Sequence, residues 1–264
     1  MDWDYPKAKA YFETLRDNGY NVKLSYGTED GDLYKIENIE YFVNEDLNKK
    51  KCQLVTADGG IALEGAEELA VQEQANMRLF FAEIVTAFSV QEMGGVFILK
   101  IYDFFTTIGL QLLAILRAHY ERVRIIKPHT SRPANSEKYL ICEGFKGITD
   151  EKLKELKETL VKWGESQSNS EYLKNDLFLT NLTDYELTAD SPLAQDLREF
   201  NDRVNLAQKA VLERGLDIIV KKQLNDEDVI KECKLKQRRL AELWCEKHGL
   251  PYQKNLKLSR LKDI

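Results

Sequence analysis

Three ionisable residues lie close to predicted strand ends, where their side chains can act together. Lys100 lies in an apolar run, Asp58 begins an Asp-Gly-Gly turn after a short strand, and Glu137 opens a later strand. Burying an ammonium among apolar side chains is costly unless carboxylates compensate for it. A lysine held in this way is a candidate functional group.

Each of these residues also has a purely structural interpretation. Asp-Gly is a common turn sequence, and a lysine in a structural ion pair is perturbed in the same way as a functional lysine. The combination favours a site, because a right-handed parallel crossover brings Asp58 and Lys100 to one edge of a sheet. Glu137 reaches the same edge if its strand is antiparallel and begins there.

The elements that position these residues alternate between strand-like and helix-like patterns from about residue 52 to 145, which predicts a helix-covered sheet. In chain order we expect a strand over 52–57, a helix over 64–91 that ends at Gly94-Gly95, a strand over 96–102, a helix over 106–119, and strands over 122–128 and 138–145. After Thr149 the pattern predicts helices only, over 150–163, from Ser191-Pro192 onward, and over 225–248.

Composition limits the class of protein. With 264 residues and 43% hydrophobic content the chain can bury a full core, while a net charge of -6 argues against indiscriminate binding to nucleic-acid backbones. The sequence has no leader-like N-terminus and no segment of the roughly 18 apolar residues that a membrane span needs, so we expect an intracellular protein.

The four cysteines are expected to be free thiols in a reducing compartment. Cys233, Cys245 and His248 are the one set that resembles metal ligands. They lie on one predicted helix and lack a fourth ligand, so we expect no structural metal.

Four segments, in this order and spacing, resemble those of the FtsJ-type ribose methyltransferases, and the Ser-Arg-Pro-Ala-Asn-Ser-Glu stretch is the most specific of them. The segments are Tyr26-Gly-Thr-Glu-Asp-Gly-Asp-Leu33 with Glu37-Asn-Ile39, Thr56-Ala-Asp-Gly-Gly60 with Glu64-Gly65, Phe97-Ile-Leu-Lys100, and Thr130-Ser-Arg-Pro-Ala-Asn-Ser-Glu-Lys-Tyr139. They are most similar to the eukaryotic and large-DNA-virus enzymes that methylate the 2′-hydroxyl of the first transcribed nucleotide of capped mRNA. The resemblance spans residues 26–147 and implies a Rossmann-like α/β fold.

The resemblance also implies roles for individual residues. The family uses S-adenosylmethionine and a Lys-Asp-Lys-Glu tetrad, and Asp58, Lys100 and Glu137 match its last three members. Asp32 and Leu33, together with Asp58, match positions that contact the methyl donor. The implied contacts to the capped RNA substrate are Glu68, Ser131, Arg132, Asn135, Ser136 and Glu137. The implied partners are the capped mRNA 5′ end and the transcription or capping machinery, in the nucleus or, for a viral protein, the cytoplasm.

The chain departs from the family pattern at its beginning. Residues 1–25 contain neither the family's glycine-rich donor loop nor a lysine in the setting of its first tetrad member. We therefore expect an N-terminally incomplete FtsJ-like core over residues 1–148, without its first strand, and a helical extension over 149–264. Two functions stay open: ribose methylation with Lys100 activating or orienting the 2′-hydroxyl, and a catalytically inactive relative that binds RNA or protein.

Overall fold

The computed structural model describes residues 6–61, 72–128, 131–165 and 191–250. These residues contain one mixed four-stranded sheet with the strand order β1-β2-β4-β3. The strands are β1 Cys52–Ala57, β2 Gln91–Ile101, β3 Tyr120–Ile126 and β4 Lys138–Phe145. β1 and β2 are parallel, whereas β4 is antiparallel to both β2 and β3. The predicted α/β fold class with a parallel β1–β2 crossover is confirmed.

The helices are α1 Pro6–Asp17, α2 Ile36–Tyr41, α3 Gln72–Val90, α4 Thr107–His119, α5 Asp150–Glu165, α6 Pro192–Val220 and α7 Glu227–His248. A π-helical turn, Phe42–Asp46, continues α2. Among residues 6–51 there is no strand before β1. None of the helices in the described ranges is long and apolar enough to cross a membrane.

Side-chain caps explain several helix boundaries. Thr106 accepts a hydrogen bond from the Gly109 amide at 3.2 Å, which sets the start of α4 where the sequence predicts it. Asp226 accepts hydrogen bonds from the first turn of α7, so this helix begins two residues later than predicted. Gly249 ends α7 in the left-handed conformation that glycine adopts without strain, with φ 64°.

The predicted end of the first crossover helix, near Gln91, is confirmed to within one residue, but the role assigned to Gly94-Gly95 was wrong. Helix α3 ends at Val90, β2 begins directly at Gln91, and Gly94-Gly95 lies inside that strand rather than between helix and strand. Gly94 has φ 77°, and the register between β1 and β2 shifts in this part of the strand. The two glycines therefore belong to a β-bulge. Positive φ occurs here within a strand, as well as at a helix end such as Gly249.

The hydrophobic core lies between the sheet and helices α3, α4 and α5. On β2 the side chains of Phe97, Leu99 and Ile101 point into it, whereas Lys100 belongs to the opposite, half-buried face. Trp163 of α5 is fully buried and packs on Phe81 of α3, with ring centroids 5.8 Å apart. Helix α3 is therefore covered on nearly every side.

The chain divides into two compact units. The first is Met1–Lys127 with Glu137–Glu199, and the second is Pro128–Ser136 with Phe200–Ile264. The first unit contains the sheet and all three members of the predicted catalytic set. The division into an FtsJ-like core over residues 1–148 and an extension over 149–264 stays a prediction.

Candidate active site

Lys100 and Asp58 form the centre of the candidate site. The parallel register pairs Ala57 with Leu99, so Asp58 follows the end of β1 directly beside Lys100. The Lys100 Nζ atom lies 2.7 Å from Asp58 Oδ1 and donates a second hydrogen bond to the Asp58 carbonyl oxygen at 2.9 Å. The lysine side chain is 13% exposed and the aspartate side chain 75% exposed. Asp58 therefore holds the Lys100 ammonium from one side, and a small part of the lysine side chain stays accessible to solvent beside the exposed carboxylate.

The turn after Asp58 approaches this ammonium closely. A Cβ atom on Gly60 would lie 3.1 Å from the Tyr102 hydroxyl and 3.6 Å from Lys100 Nζ. Tyr102 also places its ring centroid 6.0 Å from the same nitrogen. A larger residue at position 60 would push into the lysine and the tyrosine, so glycine keeps this approach open.

Strand β4 brings a second carboxylate to the same edge. Its antiparallel register pairs Lys100 with Tyr139, so both side chains lie on one face of the sheet. The Tyr139 hydroxyl donates a hydrogen bond to Glu137 Oε1 at 3.2 Å. The negative charge of Glu137 raises the pKa of Lys100, which places this acid in the electrostatic surroundings of the ammonium.

The charge state of Lys100 follows from opposing effects. Burial lowers its pKa, but the hydrogen bond from Lys100 to Asp58 and the attraction of Tyr102, Asp58 and Glu137 act the other way. The net result is a raised pKa, so Lys100 is an ammonium at neutral pH. The sequence left open whether Lys100 is a base or a donor, and this direction favours a positioning donor.

A second buried lysine fixes the strand ends from the other face of the sheet. Lys138 is 1% exposed, and its Nζ atom donates to the Tyr102 carbonyl oxygen at 3.0 Å and to the Asp103 carboxylate. Lys127 donates to the Glu137 carbonyl oxygen at 2.9 Å. The backbone segments that carry Tyr102 and Glu137 are thus tied to fixed cations.

The segment expected to contact the methyl donor is held in shape by a buried amide. Asn38 donates to Asp30 Oδ1 at 2.9 Å and to the Asp32 carbonyl oxygen at 3.0 Å, and its own carbonyl accepts from the amide and hydroxyl of Thr28. Gly27 and Gly31 both adopt positive φ in this loop. The loop is therefore a defined structure rather than a variable turn.

This loop offers a hydrogen-bond acceptor that suits a ligand with hydroxyl groups. Asp30 is already bound by Lys35 and Asn38, whereas half-buried Asp32 uses one carboxylate oxygen to accept from the Tyr34 amide at 2.8 Å. Within the described part of the chain the other Asp32 oxygen makes no hydrogen bond, so it can accept from a ribose hydroxyl. Leu33 packs against the hydrophobic core.

The residues expected to contact RNA are only partly placed. Glu68 lies outside the described residues. Ser131, Arg132, Asn135 and Ser136 belong to the second compact unit, where Ser131 bonds to Asn135 at 3.3 Å and the Asn135 amide donates to the Arg132 carbonyl oxygen at 3.2 Å. These bonds confirm an ordered loop, and the RNA contacts themselves stay a prediction.

Comparison of the sequence with protein-family models identifies the family. A family model described as FtsJ-like methyltransferase matches residues 8–145 of this chain. The chain belongs to the FtsJ-like methyltransferase family. The match includes the sheet, Asp58, Lys100 and Glu137, and it begins upstream of Tyr26.

Individual proteins add a more specific similarity. The chain is 35% identical to cap-specific mRNA (nucleoside-2′-O-)-methyltransferase 1A of Caenorhabditis briggsae, over 54% of this chain and 17% of that protein. It is 42% identical to the methyltransferase 1 of Homo sapiens and of Mus musculus, over 46% of this chain and 15% of each. The aligned part is less than a fifth of the length of these relatives.

Among solved structures, a putative ribosomal RNA methyltransferase from Plasmodium falciparum aligns with a TM-score of 0.37. It is 21% identical and covers 48% of this chain and 64% of that chain. A similarity at this level carries no weight for the fold or the function.

Two buried acids of this FtsJ-like domain were missed by reasoning from the sequence. Glu73 accepts hydrogen bonds from the amides of Phe105 and Thr106, all at 2.9 Å, and Glu83 accepts one from the Gly59 amide at 2.9 Å. Both lie in helix α3, which its apolar residues mark as a core helix and in which no functional acid was predicted. For Glu83 the available signal was an acid within the largely apolar run 79–90, whereas Glu73 lies in a polar first turn that gives no such signal.

Proposed function

We propose that this chain transfers a methyl group from S-adenosylmethionine to the 2′-hydroxyl of the first transcribed nucleotide of capped mRNA. Family membership supports methyl transfer, and the names of the relatives support the capped substrate. The observation that carries the proposal is the Lys100 ammonium, held by Asp58 at the edge of the sheet where β1, β2 and β4 meet.

The acids of the site are the groups suited to hold the donor. S-adenosylmethionine, when bound, supplies an electrophilic methyl group on a positively charged sulfur. In this proposal Asp32 accepts hydrogen bonds from the donor's ribose, Leu33 contributes apolar contact, and the exposed Asp58 carboxylate faces the positive charge. Asp58 then has two roles, because the same carboxylate fixes Lys100.

Lys100 acts on the nucleophile. A ribose hydroxyl is a weak nucleophile, and it becomes a better one when a fixed cation donates a hydrogen bond to its oxygen and lowers its pKa. In this proposal the hydroxyl proton passes to water as the bond between oxygen and the methyl group forms and the bond between sulfur and the methyl group breaks. Because the pKa of Lys100 is raised, the side chain carries the proton needed for this bond at neutral pH. Glu137 adds a negative charge near the ammonium and accepts a hydrogen bond from the Tyr139 hydroxyl.

The proposal extends to RNA binding and to cellular context. Ser131, Arg132, Asn135 and Ser136 supply polar groups to the RNA backbone, with Glu68 on the side of the cap. The substrate implies action on new transcripts, hence a nuclear protein, or a cytoplasmic one if it is viral, that works beside the transcription or capping machinery.

The proposal is tested by a methyl-transfer assay on short RNAs. The full chain is incubated with radiolabelled S-adenosylmethionine and an RNA that carries an N7-methylguanosine cap, and the product nucleotide is mapped by nuclease digestion. We expect label on the 2′-oxygen of the first nucleotide and none on an RNA whose first nucleotide is 2′-deoxy.

Two controls make the assay decisive. Lys100→Ala should slow transfer by about 100- to 1,000-fold while leaving the affinity for S-adenosylmethionine within about twofold, since Lys100 acts on the acceptor and not on the donor. Absence of donor affinity at high protein concentration would contradict the proposal and favour the RNA- or protein-binding alternative. Label on the 2′-deoxy control would contradict the assignment of the reacting atom.

A further inference from the structure

Glu83 lies directly beneath the turn that carries Asp58. It projects from helix α3, is 5% exposed, and has the fully buried Ala82 and Ile84 as its chain neighbours. Its Oε1 atom accepts the Gly59 amide hydrogen at 2.9 Å. The other carboxyl oxygen is buried and makes no hydrogen bond within the described ranges.

The contact between Glu83 and the turn leaves no spare room. A Cβ atom on Gly59 would lie 2.6 Å from Glu83 Oε1 and 3.0 Å from Leu79 Cδ2. Glycine at this position is therefore what allows the backbone amide to reach the carboxyl group. Asp58 is the preceding residue, so the hydrogen bond to Glu83 fixes the peptide unit next to it.

The charged groups that face Glu83 are both members of the candidate site. Lys100 on β2 lowers the pKa of Glu83, and Asp58 on the turn after β1 raises it. Helix α5, which also packs on α3, contributes the buried side chains Leu156, Leu160 and Trp163. The ionisable side chains of α4, Arg117 and His119, lie in its last turn, where the His119 ring contacts Phe88 at the far end of α3.

We propose that Glu83 is a positioning residue of the methyl-transfer site, which holds the turn of residues 58–60 on helix α3 and so keeps Asp58 beside Lys100. This inference rests on the proposed function. It adds to that function a link between the core of the domain and the reacting edge of the sheet, carried by the Gly59 amide.

The hold of Glu83 on the turn depends on its charge. A carboxylate accepts a charge-assisted hydrogen bond that is about twice as strong as the bond to a neutral group. Burial raises the pKa of Glu83 to about 7, because the hydrogen bond from Gly59 and the charge of Lys100 offset only part of the desolvation. The turn is therefore held more firmly above neutral pH than below it.

The first test follows the Gly59 amide by NMR in the full chain between pH 5 and pH 9. We expect its chemical shift to change in one step near pH 7 and the step to disappear in Glu83→Gln, which keeps an acceptor oxygen but cannot ionise. Glu92→Gln removes an exposed acid at the start of β2 and should leave the step unchanged. A Gly59 shift that does not change with pH in the unmodified chain, or a step that survives in Glu83→Gln, would overturn the inference.

The second test compares methyl transfer in the same variants. For the unmodified chain kcat should fall as the pH drops through about 7, and the fall should be absent in Glu83→Gln. Glu83→Ala, which removes the acceptor, should lower kcat by about 10- to 100-fold with a smaller change in KM. Identical pH profiles for Glu83→Gln and the unmodified chain would contradict the positioning role.

The two tests separate the inference from the proposed function. If the pH-dependent change in the Gly59 amide shift disappears in Glu83→Gln, the result supports the role of Glu83 in holding the turn, even when no methyl group is transferred. In that case only the proposed function fails.

Discussion

Lys100 combines a mostly buried side chain with a stable positive charge. Its partner Asp58 is three-quarters exposed, so solvent screens the ion pair, and pairs of this kind contribute about 0 to 1 kcal/mol to stability. The pair is therefore poorly explained as a device for stability. It is better explained as a device that fixes a cation at a place where a ligand can reach it.

The ion pair itself can be tested without any substrate. In Asp58→Asn the pKa of Lys100 should fall, because the carboxylate that offsets its desolvation is gone. The measurement is an NMR titration of the Lys100 side chain, with the free energy of unfolding recorded in parallel. An unchanged pKa of Lys100 would show that Asp58 does not hold the ammonium in solution.

Glu83 gives a pH dependence of stability with a definite sign. Its pKa is raised from 4.5 to about 7 in the folded chain, so the folded state binds more protons than the unfolded state between these values. The contribution of Glu83 to the free energy of unfolding should therefore be complete below about pH 4.5 and decrease as the pH rises to about 7. Above that pH it should stay constant, about 3 kcal/mol lower than at acid pH. The ionised form that holds the turn most firmly is thus the less stable one.

Glu83→Gln should remove this contribution. Chemical denaturation of the variant and the unmodified chain at pH 5 and pH 8 measures the difference, and Glu92→Gln serves as the matched control. A Glu83→Gln variant that loses as much stability as the unmodified chain between the two values would contradict the assigned pKa.

At the scale of elements, helix α3 holds the end of one neighbouring element and the start of another. Glu83 binds the turn after β1, while Glu73 accepts from the amides of Phe105 and Thr106 and from the Thr106 hydroxyl at 2.7 Å, at the start of α4. A carboxylate at a helix N-terminus satisfies amides that have no partner within the helix. Two buried acids on one helix thus fix two separate junctions.

Removing the Glu73 carboxyl group should be strongly destabilising. Glu73→Ala leaves the amides of Phe105 and Thr106 without their acceptor, and we expect a loss of about 2 to 4 kcal/mol in the free energy of unfolding. Glu13→Ala, an exposed acid on α1, should change it by less than about 0.5 kcal/mol. Equal effects of the two substitutions in denaturant titrations would show that Glu73 does not cap α4.

Two glycine substitutions separate close approach from backbone freedom. Gly59→Ala places a methyl group 2.6 Å from Glu83 Oε1 and should displace the turn, whereas Gly215 lies inside α6 with nothing within 4 Å of an added Cβ. Gly215→Ala should stabilise the chain by up to about 1 kcal/mol, as alanine favours helices. Thermal unfolding of both variants gives the comparison, and a harmless Gly59→Ala would refute the close contact.

Local sequence signals predicted much of this architecture. The cap at Thr149 and the stop at Gly249 marked helix ends because the threonine side chain and the glycine φ angle act on adjacent residues. Gly94-Gly95 misled because positive φ serves both helix ends and bulges. The meeting of Asp58 with Lys100 was predictable from a parallel crossover, but the contacts of Glu73 and Glu83 link residues more than 20 positions apart and leave no local pattern.

At the scale of the whole molecule, the charge balance limits how RNA is bound. A net charge of -6 gives little general attraction to phosphates, so recognition must come from specific groups. We expect the affinity for capped RNA to fall only weakly with salt, with a logarithmic slope below about 3 in magnitude between 50 and 200 mM. Fluorescence anisotropy measures it, and a slope of the size found for proteins with about 6 to 10 phosphate contacts would contradict this prediction.

A double-mutant cycle tests whether Lys100 and Asp58 act as one unit in methyl transfer. Single-turnover rates are measured with saturating donor and capped RNA for Lys100→Ala, Asp58→Ala and the double variant. Residues that act as a unit have non-additive effects, so the double variant should be no slower than the slower single variant. A double variant whose loss in rate equals the product of the two single losses would show that Lys100 and Asp58 act independently, contrary to this prediction.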